Sequence, residues 1–361
     1  MSIYYEIKND LKRYPEAWCF LIWSARGGSF GAGKTYGTLK YLYENKIKFI
    51  YIKRTNDDVK FICSDLTKSK VLKDVDRSPF KSLNRDLNIN VRAFKIDKGF
   101  GAFWNCSDDN EPVGEPIGYI VSLNIAEDIK GFDLSDADVI FFDEFIPQRF
   151  ERVTNKLEGE SLLSIYKTVE RDRAARGRDT LKLIGCANGS DISNPLFNTL
   201  EVINDVATMS STTSDLKYVK NRGIVLHSLF WNVEKKKLQG LDKAMYGTKW
   251  FENNVQGGFT YNDFSNVKKS DLKHMTCKFK LIYNGKNYFL YENNNKYYFS
   301  SSRSNNYEGV YDLTFDNDQR KFYLDWVIDL QNYCTYDKVK FESYDLYDLI
   351  INYKKFYKIQ R

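Results

Sequence analysis

Gly28-Ser29-Phe30-Gly31-Ala32-Gly33-Lys34-Thr35 fits the pattern G-x-x-x-x-G-K-[ST], and each fixed position has a physical reason. Glycines let successive backbone N–H groups curl inward as a nest for an anion. Lys34 is long enough to reach the β- and γ-phosphates, and the Thr35 hydroxyl is a magnesium ligand. The flanks agree with this reading. Phe20-Leu21-Ile22-Trp23 is a short apolar run of the kind that forms a strand buried on both faces, and Tyr36, Leu39 and Tyr43 then recur at helical spacing. Strand, glycine loop and helix in this order set a phosphate at a helix N-terminus, where free N–H groups and the helix dipole favour an anion. Gly28, Gly31, Ala32, Gly33, Lys34 and Thr35 are therefore the expected phosphate contacts, with ATP and Mg²⁺ as the expected cofactors.

Composition bounds the rest. At 361 residues the chain is long enough for two domains and a sizeable core, and 42% hydrophobic with 28% charged residues are globular proportions. Six cysteines are scattered with no C-x-x-C pair, and His227 and His274 complete the histidines. This argues against a disulfide framework or a zinc site and fits a reducing compartment. The first ten residues contain no apolar signal core, and no apolar run approaches a membrane span, so a cytosolic protein with no membrane contact is expected. The net charge of +6 is concentrated: residues 40–98 carry 15 Lys/Arg against 8 Asp/Glu, and the remainder is close to neutral. Such a window suits an acidic polymer as partner, although an ordinary solvated surface has the same composition.

Further along, Lys48 to Arg54 predicts a second strand ending in two basic residues. Residues 57–86 predict short surface helices and loops. Ile89–Ile96, Ala102–Cys106 and Ile117–Leu123 predict a hairpin or meander. Val139-Ile140-Phe141-Phe142-Asp143-Glu144 is a fully buried strand from whose C-terminal end two carboxylates emerge. Ligands of open α/β sheets bind outside the carboxyl ends of the strands, which puts Asp143 and Glu144 beside the glycine loop. Asp143 is assigned to the magnesium shell with Thr35, and Glu144 to orienting and activating the attacking water.

Ser161–Arg173 predicts a helix with Leu162, Ile165, Tyr166 and Val169 on one face and Arg171 opposite them. Leu181–Ala187 is a third core strand. Asn188 at its exit either senses the γ-phosphate or forms a turn before Gly189. Gly223–Trp231 predicts one further strand. Residues 233–268 read as a helical linker, after which the composition changes: 14 of the 26 tyrosines lie between Tyr283 and Tyr357. Phe279–Tyr283, Asn287–Tyr291 and Tyr297–Ser300 are successive hairpin strands, and helices are expected over about 318–332 and 343–357.

With both ATPase motifs placed, the chain resembles the genome-packaging ATPases, terminase-like motors, of small protein-primed tailed phages. The likeness rests on Ser24-Ala25-Arg26-Gly27 leading into the phosphate loop, Phe49-Ile50-Tyr51-Ile52-Lys53-Arg54, Phe142-Asp143-Glu144-Phe145-Ile146, Asn188 followed by Asn194-Pro195, and Ile282-Tyr283-Asn284-Gly285. It implies that Arg26 and Asn188 join the nucleotide contacts. It also implies a homo-oligomeric ring, a pentamer, seated on the portal (connector) of a capsid and driving double-stranded DNA inward. The location implied is the host cytoplasm, transiently at the portal vertex. Active sites in this family are completed by the neighbouring subunit. Arg171, the first arginine of Val169-Glu170-Arg171-Asp172-Arg173, matches the trans-acting arginine best, and Lys130 in Glu127-Asp128-Ile129-Lys130 matches a trans-acting lysine. Whether a structural packaging RNA is a partner stays open.

The expected architecture is an α/β P-loop NTPase core with a parallel sheet of the ASCE, terminase-like class over 1–232, a linker over 233–268, and a smaller α+β domain over 269–361. That last domain is read as RNase H-like and vestigial. Its leading hairpin strands carry no internal carboxylate for a metal pair, and Asp312, Asp316 and Asp318 fall in a loop-like stretch. An NTP-driven helicase or translocase unconnected with a capsid would share the core, as would a non-enzymatic scaffold of the capsid vertex.

Overall fold

The structure, a computed structural model, describes residues 5–26, 32–63, 77–147, 157–212, 214–230, 240–248, 251, 259, 262 and 264–357. It divides into two compact units, Met1–Leu200 with Thr208–Tyr261, and Glu201–Ala207 with Asn262–Arg361. The expected linker lies mostly outside the described residues.

In the first unit the strands are β1 (Cys19–Arg26), β2 (Phe49–Lys53), β3 (Val91–Asp97), β4 (Phe100–Cys106), β5 (Pro112–Ser122), β6 (Val139–Asp143), β7 (Lys182–Asn188), β8 (Leu216–Val219) and β9 (Ile224–Phe230). They form one sheet in the order β3-β4-β5-β2-β6-β7-β1-β9-β8. From β5 to β9 neighbouring strands are parallel, while β3 and β4 at one edge and β8 at the other pair antiparallel. Parallel strands covered on both faces need continuous apolar runs rather than alternation. Phe49–Ile52 and Val139–Phe142 are accordingly buried without a break. The helices that position the site are α1 (Ile7–Arg13), α2 (Lys34–Glu44), α3 (Asn56–Ile62), α4 (Lys81–Leu87) and α5 (Glu158–Glu170).

Three differences from the sequence expectations can be traced to particular elements. Helix α5 ends at Glu170, so Arg171 is the C-cap with an extended ψ of 130° and not a point on a helical face. The chain turns there because the next arginine is buried: Arg173 donates to the carbonyls of Ala137 and Asp179 and pairs with Asp138 at 2.7 Å. Strand β8 was not expected, since Leu216–Val219 is a four-residue edge strand with little burial to mark it. Residues 201–207, expected in the ATPase domain, group with the second unit, where Glu201 pairs with Lys286 and the Asn204 side chain accepts from the Asp345 N–H.

That second unit holds β10 (Thr276–Tyr283), β11 (Lys286–Asn293), β12 (Lys296–Ser300), β13 (Gly309–Asp312) and β14 (Val339–Phe341), in the order β13-β10-β11-β12-β14. The three hairpin strands are antiparallel and each flanking strand is parallel to its neighbour, an α+β arrangement. Helical residues run without interruption from Asp316 to Thr335 through a π turn at Tyr323–Val327. Asp312, Asp316 and Asp318 are not in a loop. Asp312 ends β13, the other two open the helix, and Asp318 accepts from the Asp312 N–H at 2.9 Å.

Candidate active site

The carboxyl ends of β1, β2, β6 and β7 come together at one sheet edge. Register sets Ser24 opposite Asn188 and Asp143 opposite Cys186. Helix α2 begins at that edge with Gly33 as its N-cap at φ +74°, a left-handed conformation natural to glycine. One turn on, Gly37 has room for nothing larger, because an added Cβ would stand 2.2 Å from the Tyr5 carbonyl oxygen. Tyr5 also donates its N–H to the Ala32 carbonyl, so the amino-terminal segment braces the end of the phosphate loop.

Lys34 is only 8% exposed. Its ammonium donates to the Ser24 hydroxyl and, at 3.1 Å, to Asn188 Oδ1, while Ser24 Oγ reaches the same amide oxygen at 3.3 Å. Both partners are neutral. Burial therefore lowers the Lys34 pKa below the ordinary 10.5, with Asp143 a smaller opposing influence. A buried ammonium with no carboxylate of the described residues in ion-pair range fits a phosphate.

Next to it, Thr35 Oγ1 donates to Asp143 Oδ1 at 2.8 Å and the Tyr51 hydroxyl donates to Asp143 Oδ2 at 2.7 Å. Tyr51 is fully buried, packed edge-on against Phe103 and Phe141, and burial followed by the Asp143 charge holds its phenol protonated. A hydroxyl and a carboxylate oxygen so close form a hard, oxygen-only donor pair, the kind that suits Mg²⁺.

Glu144 stands beyond the strand with φ +61°, a region side chains rarely adopt. Its carboxylate is 63% exposed and paired with Lys53 Nζ at 3.0 Å. Its carbonyl accepts from Arg54 Nη2 at 3.0 Å. Arg54 is itself buried and forms a two-point ion pair with Glu158, Nε to Oε2 at 2.6 Å and Nη2 to Oε1 at 3.1 Å.

Lys34, Thr35, Asp143, Glu144 and Asn188 thus converge, and Ala32 and Gly33 adjoin them. Gly28 and Gly31 lie outside the described residues, as do the side chains of Arg26, at the end of β1, and Lys130, in the 3-10 turn Asp128–Gly131. Arg171 is exposed and forms no hydrogen bond or ion pair among the described residues. Sequence reasoning passed over Ser24, Tyr51, Lys53 and Arg54 as individual contributors. The last three lie in the Phe49–Arg54 stretch already noted, and the parallel register of β2 with β6, Ile52 beside Phe142, was the signal that could have found them.

No family model matches the chain. It is 22% identical over 296 residues to the DNA packaging protein of Bacillus phage PZA, an alignment covering 80% of this chain and 78% of that protein. The same figures hold for the DNA packaging protein of Bacillus phage phi29. Among solved structures, the chain is similar to the bacteriophage Phi-29 viral genome packaging motor assembly, with a TM-score of 0.63, 17% identity and coverage of 99% of this chain and 100% of that one. It is also similar to the Phi-28 gp11 DNA packaging motor, with a TM-score of 0.61, 15% identity and 99% of both chains covered. The packaging-ATPase resemblance drawn from the sequence is borne out by these relatives, and the structural likeness extends over both units.

Proposed function

We propose that this protein is an ATP-hydrolysing motor that moves double-stranded viral DNA into a preformed capsid. The observation that carries the reading is Lys34, a buried cation whose partners among the described residues are neutral, set beside the Thr35–Asp143 pair at the carboxyl edge of a parallel sheet. In this reading Lys34, Ala32 and Gly33 bind the phosphates, Ser24 and Asn188 aim the ammonium, and Thr35 with Asp143 holds Mg²⁺. Magnesium, when bound, supplies positive charge to the phosphate oxygens. Phosphoryl transfer asks for positioning and charge stabilisation more than for covalent help. Glu144 orients and deprotonates the attacking water, for which its carboxylate must leave Lys53.

The ring, the portal and the DNA enter by likeness to the packaging proteins and motor assemblies, and the basic 40–98 window supports a polyanionic partner. Arg171 completes a neighbour's site. Its exposure supports that role, and the burial of Arg173 against Asp138 makes the second arginine unavailable for it. Lys130 is a second candidate for the same duty. The carboxy-terminal unit is read as a vestigial, non-cutting nuclease-like domain used for docking.

The test is ATP turnover with and without double-stranded DNA and empty capsids. Hydrolysis that rises when both are supplied, with DNA affinity falling linearly against salt on logarithmic axes, supports the motor. Absence of nucleotide binding, or turnover indifferent to DNA and capsids, overturns it.

A further inference from the structure

Glu144 occupies a left-handed backbone conformation that a non-glycine residue holds only where its surroundings enforce it. The enforcing group is Arg54. Continuing the register of β2 and β6 by two residues brings Arg54 beside Glu144, and Arg54 Nη2 donates to the Glu144 carbonyl at 3.0 Å and the Phe145 carbonyl at 3.4 Å. The guanidinium is fixed in turn by Glu158, whose two oxygens take Nε and Nη2, and by the Phe142 ring 5.7 Å beneath it. Both members of the ion pair are buried, at 5% and 1% side-chain exposure. Lys53, one residue earlier, holds the opposite end of Glu144 through its carboxylate.

We propose that Arg54, locked by Glu158, is a positioning residue that keeps the Glu144 backbone in this conformation, from which the carboxylate, once released by Lys53, meets the attacking water. The inference rests on the reading of Glu144 as the water-activating group. A buried ion pair serving the fold alone needs no bond to the carbonyl of a strained residue. This one spends the same nitrogen on Glu158 and on Glu144. A lysine at position 54 would keep the charge but lack the planar fork that reaches both at once.

Arg54→Lys and Glu158→Gln are the test, assayed as full chains with DNA and capsids, at a temperature where circular dichroism shows each folded. Turnover should fall about tenfold or more in Arg54→Lys and less in Glu158→Gln. ATP affinity should stay within about twofold of the parent, and affinity for ADP with aluminium fluoride, which mimics the transferring phosphoryl group, should fall along with turnover. A role confined to the fold predicts a lower melting temperature with parental turnover and parental affinity for the mimic per folded molecule, and that result overturns the proposal. Glu144→Gln is measured beside them. If it hydrolyses ATP at the parent rate, the reading of Glu144 is wrong. If it is inactive while folded Arg54→Lys and Glu158→Gln turn over normally, only the role of Arg54 is wrong. Should Arg54→Lys not fold, Glu158→Gln, which preserves shape and an acceptor oxygen, decides.

Discussion

Two buried cations of the first unit are treated in opposite ways. Arg54 is 4% exposed and is met by both oxygens of Glu158; Lys34 is 8% exposed and is met by a hydroxyl and an amide oxygen. A buried charge without a counter-charge destabilises a fold, so architecture alone gives no reason to bury Lys34. The difference separates a cation that the chain satisfies for itself from one that, in the proposed function, takes its counter-charge from a bound phosphate.

Removing each charge should therefore give crossed results. Arg54→Met removes the guanidinium that meets both oxygens of the buried Glu158 and should cost about 3–5 kcal/mol of stability. Lys34→Met should melt no lower than the parent, yet lose nucleotide affinity and turnover together, the latter by about 10³. Melting curves with and without ATP check both. If Lys34→Met melted as low as Arg54→Met, the contrast between the two cations would collapse.

Arg171 sharpens the comparison as a third kind of cation, exposed and without an ion pair among the described residues. Arg171→Ala should leave the melting temperature unchanged while lowering turnover of the assembled ring by about 10³, the effect of an arginine supplied in trans. Mixing Arg171→Ala with Glu144→Gln restores some interfaces in which an intact arginine faces an intact glutamate, so activity should partly return. No recovery in rings shown to be mixed would place Arg171 in its own subunit's service.

A smaller effect is expected at Tyr51, the neutral donor that fixes Asp143. Tyr51→Phe keeps the ring packing against Phe103 and Phe141 but frees Asp143 Oδ2. The magnesium concentration needed for half-maximal binding of a fluorescent ATP analogue should rise about tenfold, as for other groups that orient a metal ligand. An unchanged magnesium curve would show that Thr35 alone sets the carboxylate.

What could be read in advance follows the range of the forces involved. Continuous apolar runs with a glycine loop between strand and helix have one common solution, so β1, α2, β2, β6 and β7 were legible, as was the meeting of Lys34 with Asn188 and of Thr35 with Asp143. The Arg54–Glu158 pair spans 104 positions and the Tyr51–Asp143 bond 92; neither leaves a local pattern, and only strand register joins their partners. The end of α5 was misplaced because helical periodicity runs on through Arg173. What stops the helix is that arginine's distant anchor, the 135–138 turn. Strand β8 and the inclusion of 201–207 in the second unit depend likewise on tertiary pairing.

The last way to test the two cations is by pH, and its effect is the smallest. The guanidinium of Arg54 keeps its proton across the working range, whereas burial lowers the pKa of Lys34 below 10.5. As pH climbs through that lowered value, the folded protein gives up the Lys34 proton while the unfolded chain still holds its own. More protons are then bound in the unfolded state, and the contribution of Lys34 to stability increases with pH up to the ordinary lysine value. ATP affinity moves the other way, because the neutral amine no longer attracts phosphate. Urea midpoints of the parent minus those of Lys34→Met should thus rise from neutral pH toward about pH 10, while parental ATP affinity falls over the same span. Affinity that stayed level until ordinary lysines titrate would mean that Lys34 is better compensated than its neutral neighbours imply, and the distinction from Arg54 would be one of degree.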